Sequence, residues 1–124
     1  MEQPARFAPA PRRAGPALTG EDLRRLALAL PGVAEHPHFD RRAFKAVRTF
    51  ATLAADGLTA NFMLAPDEQA LKCAVAPDAF APVAGGWGRR GWTMGRLAAM
   101  TEADLAAALD MAWRHGAVRK GGGR

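Results

Sequence analysis

The sequence has little of what disulfide-bonded, secreted or membrane proteins require. It contains a single cysteine, Cys73, so no disulfide can form within the chain, which favours a reducing compartment. Its apolar runs are far shorter than the roughly 20 residues that span a bilayer. Residues 1–16 contain no apolar stretch of the signal-peptide kind. These absences predict a cytoplasmic protein without a membrane span.

The sequence also offers no recognisable catalytic, metal-binding or phosphate-binding motif. Its glycine-rich segment 85–91 does not match the phosphate-binding motif GxxxxGK. It also does not match the dinucleotide-binding motif, in which GxGxxG lies between a strand and a helix. His36, His38 and Asp40 alternate and would share one face of a strand. No fourth ligand accompanies them, and Pro37 interrupts the strand geometry. Because acid, base and nucleophile candidates do not converge, we expect neither an enzyme nor a bound cofactor or metal.

Positive charge is concentrated at the two ends of the chain. The net charge is +5 and the isoelectric point is about 10.6. Residues 19–118 contain 11 basic and 11 acidic residues. The surplus comes from Arg6, Arg12 and Arg13 against Glu2 near the start, and from Arg119, Lys120 and Arg124 at the end. A domain-wide attraction to nucleic acid is therefore excluded, and only a local cluster of cations could provide one.

The chain divides into one domain and two tails. At 124 residues it is long enough for one hydrophobic core that needs no disulfide or metal to stabilise it. Residues 1–18 are rich in proline, so we expect a disordered basic leader. Residues 119–124 contain three consecutive glycines and predict a flexible basic tail. The single domain is expected over residues 19–118.

Residues 43–64 carry several strand-length apolar runs in succession and predict a three-strand meander over 43–47, 50–55 and 58–64. Asp56-Gly57 is the strongest short hairpin signal, because a two-residue turn needs positive φ at both central residues. In the third strand one face is apolar and the other is wetter. Leu58, Ala60, Phe62 and Leu64 alternate there with Thr59, Asn61 and Met63.

Helices are predicted before and after this meander. The first begins at Thr19, with Asp22 in a capping box, and ends at Pro31-Gly32. Its buried stripe is Leu23, Leu26, Ala27 and Leu30, which leaves Arg24 and Arg25 toward solvent. The last begins at Thr101 and ends by Gly116. Its buried stripe is Leu105, Leu109, Ala112 and Trp113.

A middle helix is predicted over residues 66–76. Pro66 suits the first helical position, and Asp67 and Glu68 follow in the first turn. Its inner stripe is expected to be Ala70, Leu71, Ala74 and Val75. Cys73 lies two turns in, away from the electropositive N-terminus that activates thiols, so we interpret it as a core or boundary residue.

The remaining segments complete a two-layer α+β domain. Residues 33–39 suit an edge strand or an extended lead-in, because Pro37 interrupts them. Residues 78–83 favour a brief helical turn, and residues 92–97 favour a strand. This order predicts an antiparallel sheet covered mainly on one face by helices.

Several spaced pairs and triplets resemble the MmcQ/YjbR family, small bacterial proteins usually described as DNA-binding. They are Phe44-Lys45, Phe50-Ala51, Pro66-Asp67-Glu68, Gly86-Trp87-Gly88, Gly91-Trp92-Thr93 and Ala112-Trp113, with residues 28–32 followed by Glu35. The likeness covers about residues 22–118. It implies an α-β-β-β-α-β-β-α fold of about five strands, similar to secretion-chaperone domains, with a double-wing mode of DNA contact. It carries over no catalytic or base-reading residue.

Four cations lie close together in the chain at Arg41, Arg42, Lys45 and Arg48. A hairpin that displays them could lie along a phosphate backbone. The alternative is a solvated edge strand, where Lys and Arg block association between strands.

Trp87, Arg89 and Arg90 occupy the glycine-rich segment. An exposed indole there could stack on a base or wedge into a groove, while the arginines bind phosphates. The alternative is a tryptophan folded back onto the sheet, with the glycines needed for close backbone approach.

The sequence thus predicts a DNA-binding protein that contacts double-stranded DNA through the basic hairpin and the Trp/Arg loop. The alternative is a protein-interaction or chaperone-like module that binds a partner or itself through its sheet and has no nucleic-acid role. A small-ligand site beneath Trp87 is a third hypothesis.

Overall fold

Six strands form one antiparallel sheet within residues 17–118, the part of the chain that the computed structural model describes. They are β1 (Ala34–His38), β2 (Arg41–Lys45), β3 (Thr49–Leu53), β4 (Thr59–Met63), β5 (Phe80–Pro82) and β6 (Trp92–Arg96). Their order across the sheet is β1-β2-β3-β4-β6-β5. Nearly all of the predicted leader and the whole predicted tail lie outside the described residues.

Three long helices cover one face of this sheet: α1 (Gly20–Leu28), α2 (Pro66–Val75) and α4 (Glu102–Gly116). Leu23 of α1 and Leu105 of α4 are buried in one core with Phe44 and Phe62 of the sheet. A one-turn helix, α3 (Gly86–Arg89), and a 3-10 turn (Leu97–Ala99) precede and follow β6. The predicted two-layer α+β fold is confirmed, with six strands in place of about five.

The additional strand is β1, which pairs with β2 at the sheet edge. Of the two expectations for residues 33–39, the edge strand is therefore correct. Pro37 is tolerated there because an edge strand needs fewer N–H donors. A two-residue turn, Phe39-Asp40, joins β1 to β2, since His38 is paired with Arg41.

The predicted meander matches β2, β3 and β4, but its second turn differs from expectation. The predicted two-residue turn at Asp56-Gly57 is wrong. Such a turn needs a positive φ at both residues, but Gly57 has a φ of 74° and Asp56 has no positive φ. A longer loop forms in which Leu58 N–H donates to Asp56 Oδ1 at 2.9 Å. In such a turn the aspartate side chain accepts the backbone hydrogen bond, so a second residue with positive φ is not needed.

The turn between β2 and β3 contains no glycine and is fixed by the end of α4. The N–H groups of Val47 and Arg48 both donate to the Gly116 carbonyl, at 2.9 and 2.8 Å. A Cβ on Gly116 would lie 2.7 Å from Phe50 Cβ. Only a glycine therefore lets the helix end approach this turn so closely.

Helix α2 is rotated relative to the prediction. Leu71 and Val75 of the expected inner stripe are 57% and 74% exposed, so that stripe is wrong. Polar contacts fix the rotation, because the Gln69 amide donates to the carbonyls of Gly88 and Trp92, both at 2.9 Å. Cys73 packs against the core, as interpreted from the sequence.

Two smaller expectations are also wrong. Residues 78–83 form no helical turn but include β5, whose Phe80 packs edge-to-face against Phe62 at 6.4 Å. Arg24 does not simply face solvent, because it binds both Glu21 and Glu35 at 2.9 Å.

Candidate nucleic-acid interface

The pairing register assigns side chains to the two faces of the sheet. Ala51 lies opposite Phe44 and Phe62, and all three face the helices. Thr52 lies opposite Ala43 and Asn61, so these three face the other way. We call this second side the open face. It also carries His36, His38, Arg41, Lys45, Trp92 and Met94.

Cations of the basic hairpin lie along this open face. Arg41 and Lys45 point to it by register. Arg48 reaches it from the turn, because its Nη2 lies 3.1 Å from Met63 Sδ. Met63 alternates with Phe62, which faces the core. Three of the four cations predicted for the hairpin thus lie on one face of the sheet.

Arg41 is partly buried on this face. Its Nε donates to Thr52 Oγ1 at 2.8 Å and its Nη2 to the Thr52 carbonyl at 3.3 Å. Burial lowers the pKa of the Arg41 guanidinium, and the Asp40 and Asp56 carboxylates offset this only in part. Its remaining N–H groups can bind an anion.

Arg42 is not part of the open face. Its Nε binds Glu35 Oε2 at 2.7 Å on the helix-covered side. Glu35 also binds Arg24 of α1, so Arg42 completes a link between α1, β1 and β2. Burial raises the pKa of the Glu35 carboxyl, but hydrogen bonds from Arg42 and Arg24 hold it below its usual value.

Trp87 projects from the one-turn helix α3 and is 59% exposed. Its ring meets Trp92 edge-to-face at 6.2 Å. The Arg90 guanidinium lies 5.4 Å from the centre of the Trp87 ring, a cation–π distance that holds both side chains in place. The indole is therefore accessible, yet its orientation is already restricted.

The glycines of this segment allow close backbone approach, as one of the two sequence hypotheses required. A Cβ on Gly88 would overlap the Val83 carbonyl. Gly91 has a φ of +115° and a Cβ there would overlap the Leu64 carbonyl. Tight packing of the glycines and exposure of Trp87 occur together, so neither hypothesis excludes the other.

One cavity joins the basic hairpin to the tryptophan segment. It has a volume of about 330 Å³ and lies on the open face. No carboxylate lines it. Its lining residues are His38, Arg41, Thr49, Thr52, Asn61, Val83, Trp87 and Trp92. Of the seven residues predicted for the site, Arg41 and Trp87 share this cavity, and Arg90 contacts it through Trp87.

A larger cavity of about 600 Å³ lies on the helix-covered face, near the β1–β2 edge of the sheet and the start of α1. Glu21, Glu35, Asp40 and Asp56 line it together with Arg24 and Arg42. Both arginines are already ion-paired with carboxylates. This cavity therefore offers little attraction to a polyanion.

Charge is separated between the two sides of a neutral body. Within residues 17–118, Arg41, Lys45, Arg48, Arg89 and Arg90 form no ion pair with a carboxylate. Seven of the 11 acidic residues lie instead on the long helices. They are Glu21, Asp22, Asp67, Glu68, Glu102, Asp104 and Asp110.

Sequence reasoning missed Phe39 as a candidate site residue. Phe39 is 93% exposed at the tip of the β1–β2 turn, with a φ of 58° that phenylalanine rarely adopts. A bulky apolar residue in a strained, exposed turn indicates a contact with something outside the chain. The signal available in the sequence was Phe39-Asp40 between two strand-like segments.

Asn61, Thr52 and Trp92 were also missed as cavity residues. The alternation in β4 did place Asn61 on the wetter face, but joining it to Trp87 requires the pairing of β4 with β6. His36 and His38 point to the open face as alternation predicts. Between residues 17 and 118 no group of three or more potential metal ligands forms.

Comparison with known proteins assigns the family. The sequence profile of the family described as YjbR matches residues 28–115, well over half of the chain. The chain belongs to the YjbR family. The resemblance seen in the sequence is therefore confirmed, and the match covers the sheet, α2, α3 and nearly all of α4.

A solved structure supports the fold of this YjbR-family chain. It is that of DR2400 from Deinococcus radiodurans, described as having a DUF419 domain. The TM-score is 0.68 at 21% identity, and the match covers 82% of this chain and 80% of that one. No curated protein was found to match. No helix among residues 17–118 is both long and apolar enough to cross a bilayer.

Proposed function

We propose that this YjbR-family chain is a cytoplasmic, non-enzymatic protein that binds duplex DNA through its open face. Arg41, Lys45 and Arg48 contact phosphates from the basic hairpin, and Arg89 and Arg90 contact them from the tryptophan segment. One observation carries the proposal. Arg41, Lys45 and Arg48 on the open face, and Arg90 beside Trp87, lack carboxylate partners within residues 17–118, although the body is neutral overall.

The separation of charge gives the molecule an orientation on DNA. A polyanion is attracted to the open face and repelled by the carboxylates of the helices, so the approach is steered. Arginine suits this role because its planar fork binds phosphate oxygens in pairs. The basic segments 1–18 and 119–124 add affinity that does not depend on sequence.

Trp87 and Phe39 provide the apolar part of the proposed contact. Both are exposed aromatic side chains, at α3 and at the tip of the β1–β2 turn. Proteins that bind DNA grooves often insert such side chains between base steps and kink the duplex. Trp87 lines the cavity that Arg41 also lines, and Phe39 lies two residues before Arg41 in the turn, so both rings lie near a proposed phosphate contact.

The test compares two double variants of the full chain that each remove the same charge. Arg89→Ala with Arg90→Ala alters the proposed interface. Arg25→Ala with Arg114→Ala alters the helix side, where both arginines form only exposed ion pairs of small energetic value. Binding of a fluorescent duplex is followed by anisotropy over a series of salt concentrations.

We expect the first double variant to bind more weakly and the second to bind as the parent chain does. If both arginines contact phosphates, the slope of log K against log salt falls by about 1.8, since each phosphate contributes about 0.9. Equal weakening by both pairs would show that net charge alone, and not the open face, determines binding.

The protein-interaction alternative has one specific observation in its favour. The stripe Ala70, Leu71, Ala74 and Val75 on α2 is apolar and exposed, and exposed apolar patches often mark interfaces. Sedimentation velocity without DNA tests it. A stable dimer that becomes monomeric in Leu71→Gln with Val75→Gln supports this alternative, and a monomeric parent chain contradicts self-association.

A further inference from the structure

The cavity on the open face combines a cation, a side-chain amide and two indoles, from Arg41, Asn61, Trp87 and Trp92. At about 330 Å³ it is near the lower limit of ordinary ligand pockets. Its polar groups lie on the sheet, and its aromatic groups lie at one side. The inference rests on the proposed function and specifies which part of a nucleic acid this cavity would hold.

Arg41 provides a cation that forms no ion pair within residues 17–118, although the charges of Asp40 and Asp56 act on it from nearby. It is half-buried, and it donates two hydrogen bonds to neutral oxygens of Thr52. No carboxylate lines the cavity. A partly desolvated cation is unfavourable unless an anion joins it, and a phosphate fits the guanidinium fork.

Asn61 provides a polar group with an unmet hydrogen bond. Its Oδ1 is shielded from solvent, and no donor between residues 17 and 118 reaches it. Such a group is costly, and because Asn61 also lines the cavity, turning its amide would offer this oxygen to a donor there. A side-chain amide is also the group that recognises base edges, because it donates and accepts side by side.

Two indoles provide an aromatic wall. The Trp87 and Trp92 rings are nearly perpendicular, at 86°. They therefore meet edge-to-face, and Trp87 remains 59% exposed. Arg90 restricts its motion from one side. Bases stack on such rings whatever their sequence, because every base has a π-face.

We propose that this cavity binds a single unpaired nucleotide, with its base against Trp87 and Asn61 and its phosphate at Arg41. The nucleotide is either a base extruded from a DNA strand or a free mononucleotide. Both carry an aromatic base and a negatively charged phosphate. A paired base cannot enter, because its hydrogen-bonding edge and both faces are occupied in the duplex.

The experiment uses the full chain and two variants, with three probes. The probes are an intact labelled duplex, the same duplex with one unpaired adenosine, and dAMP followed by tryptophan fluorescence. Asn61→Leu removes the amide and keeps the volume similar. Because the Asn61 oxygen makes no hydrogen bond within residues 17–118, this substitution should cost little stability. Arg114→Ala on α4 is the control.

We expect the parent chain and Arg114→Ala to bind the bulged duplex about tenfold more tightly than the intact one. Asn61→Leu should lose this preference and keep its affinity for the intact duplex. Quenching by dAMP that Asn61→Leu abolishes, without a preference for the bulge, would identify the free nucleotide as the source.

The inference and the proposed function can fail separately. Equal affinity for both duplexes, together with no dAMP effect sensitive to Asn61→Leu, would overturn the nucleotide site and leave duplex binding intact. Binding of dAMP without affinity for either duplex would support the site and refute the proposed function.

Discussion

Replacing Phe39 by glycine should stabilise the fold and weaken DNA binding at the same time. Phe39 is 93% exposed, so little packing is lost. Its φ of 58° lies in the left-handed region, where a side chain costs roughly 1–2 kcal/mol. Glycine removes that strain but loses about 0.5–1 kcal/mol through the greater freedom of the unfolded chain.

The net result is a rise in the free energy of unfolding of about 0.5–1 kcal/mol. For a domain of this size, the melting temperature should then rise by about 2–8 °C. The assay combines thermal unfolding with anisotropy on a labelled duplex. Loss of an inserted aromatic ring should weaken binding about tenfold.

Phe39→Ala is the matched control, because it removes the same ring and keeps the left-handed backbone. It should weaken DNA binding as much as Phe39→Gly does, without the gain in stability. A lower melting temperature for Phe39→Gly than for Phe39→Ala would refute the strain argument. Unchanged DNA affinity in both variants would remove Phe39 from the interface.

Three further predictions concern the fold. Gly91→Ala should cost more than about 2 kcal/mol in urea unfolding, because strain at positive φ adds to overlap with the Leu64 carbonyl; unchanged stability would contradict the packing of β6. Glu35 has a pKa held below its ordinary 4.5, so its stabilising contribution is complete above that pH and is lost as pH falls through the folded value. Glu35→Gln should therefore be less stable than the parent chain at pH 7, with the difference shrinking toward pH 3; a constant difference would contradict the ion-pair account. Burial raises the pKa of the Cys73 thiol, so alkylation at pH 8 should be slower than for free cysteine, and an equal rate would show that α2 opens readily.

Features fixed by neighbouring residues were predictable from the sequence. Thr101 caps α4 by accepting from Asp104 N–H at 3.0 Å, and Thr19 N–H donates to Asp22 at 2.8 Å at the start of α1. Both contacts span three residues, so the sequence alone displays them. The alternation along β4 was visible for the same reason.

Features fixed by distant residues were not predictable. The rotation of α2 depends on carbonyls of Gly88 and Trp92 that accept from Gln69, and its own apolar residues pointed to the wrong side. The turn before β3 depends on Gly116, at the far end of the described chain. Neither partner can be identified before the sheet is assembled.

The candidate site shows the same limit. Arg41 and Arg42 are adjacent in the chain, but a shift of one residue in a strand reverses the face, so only Arg41 joins the open face. Clustering of charge in the sequence could not make this distinction. The cavity between Arg41 and Trp87 appears only once β1–β2 and β4–β6 pairings are both known.

The most direct test of DNA binding by the open face is an NMR titration of the full chain, labelled with ¹⁵N, by an unlabelled duplex. The proposal predicts shifts at Arg41, Lys45 and Arg90 and at the Trp87 indole, with α1 and α4 unaffected. Shifts confined to residues 1–18 and 119–124, or centred on α1 and α4, would contradict it.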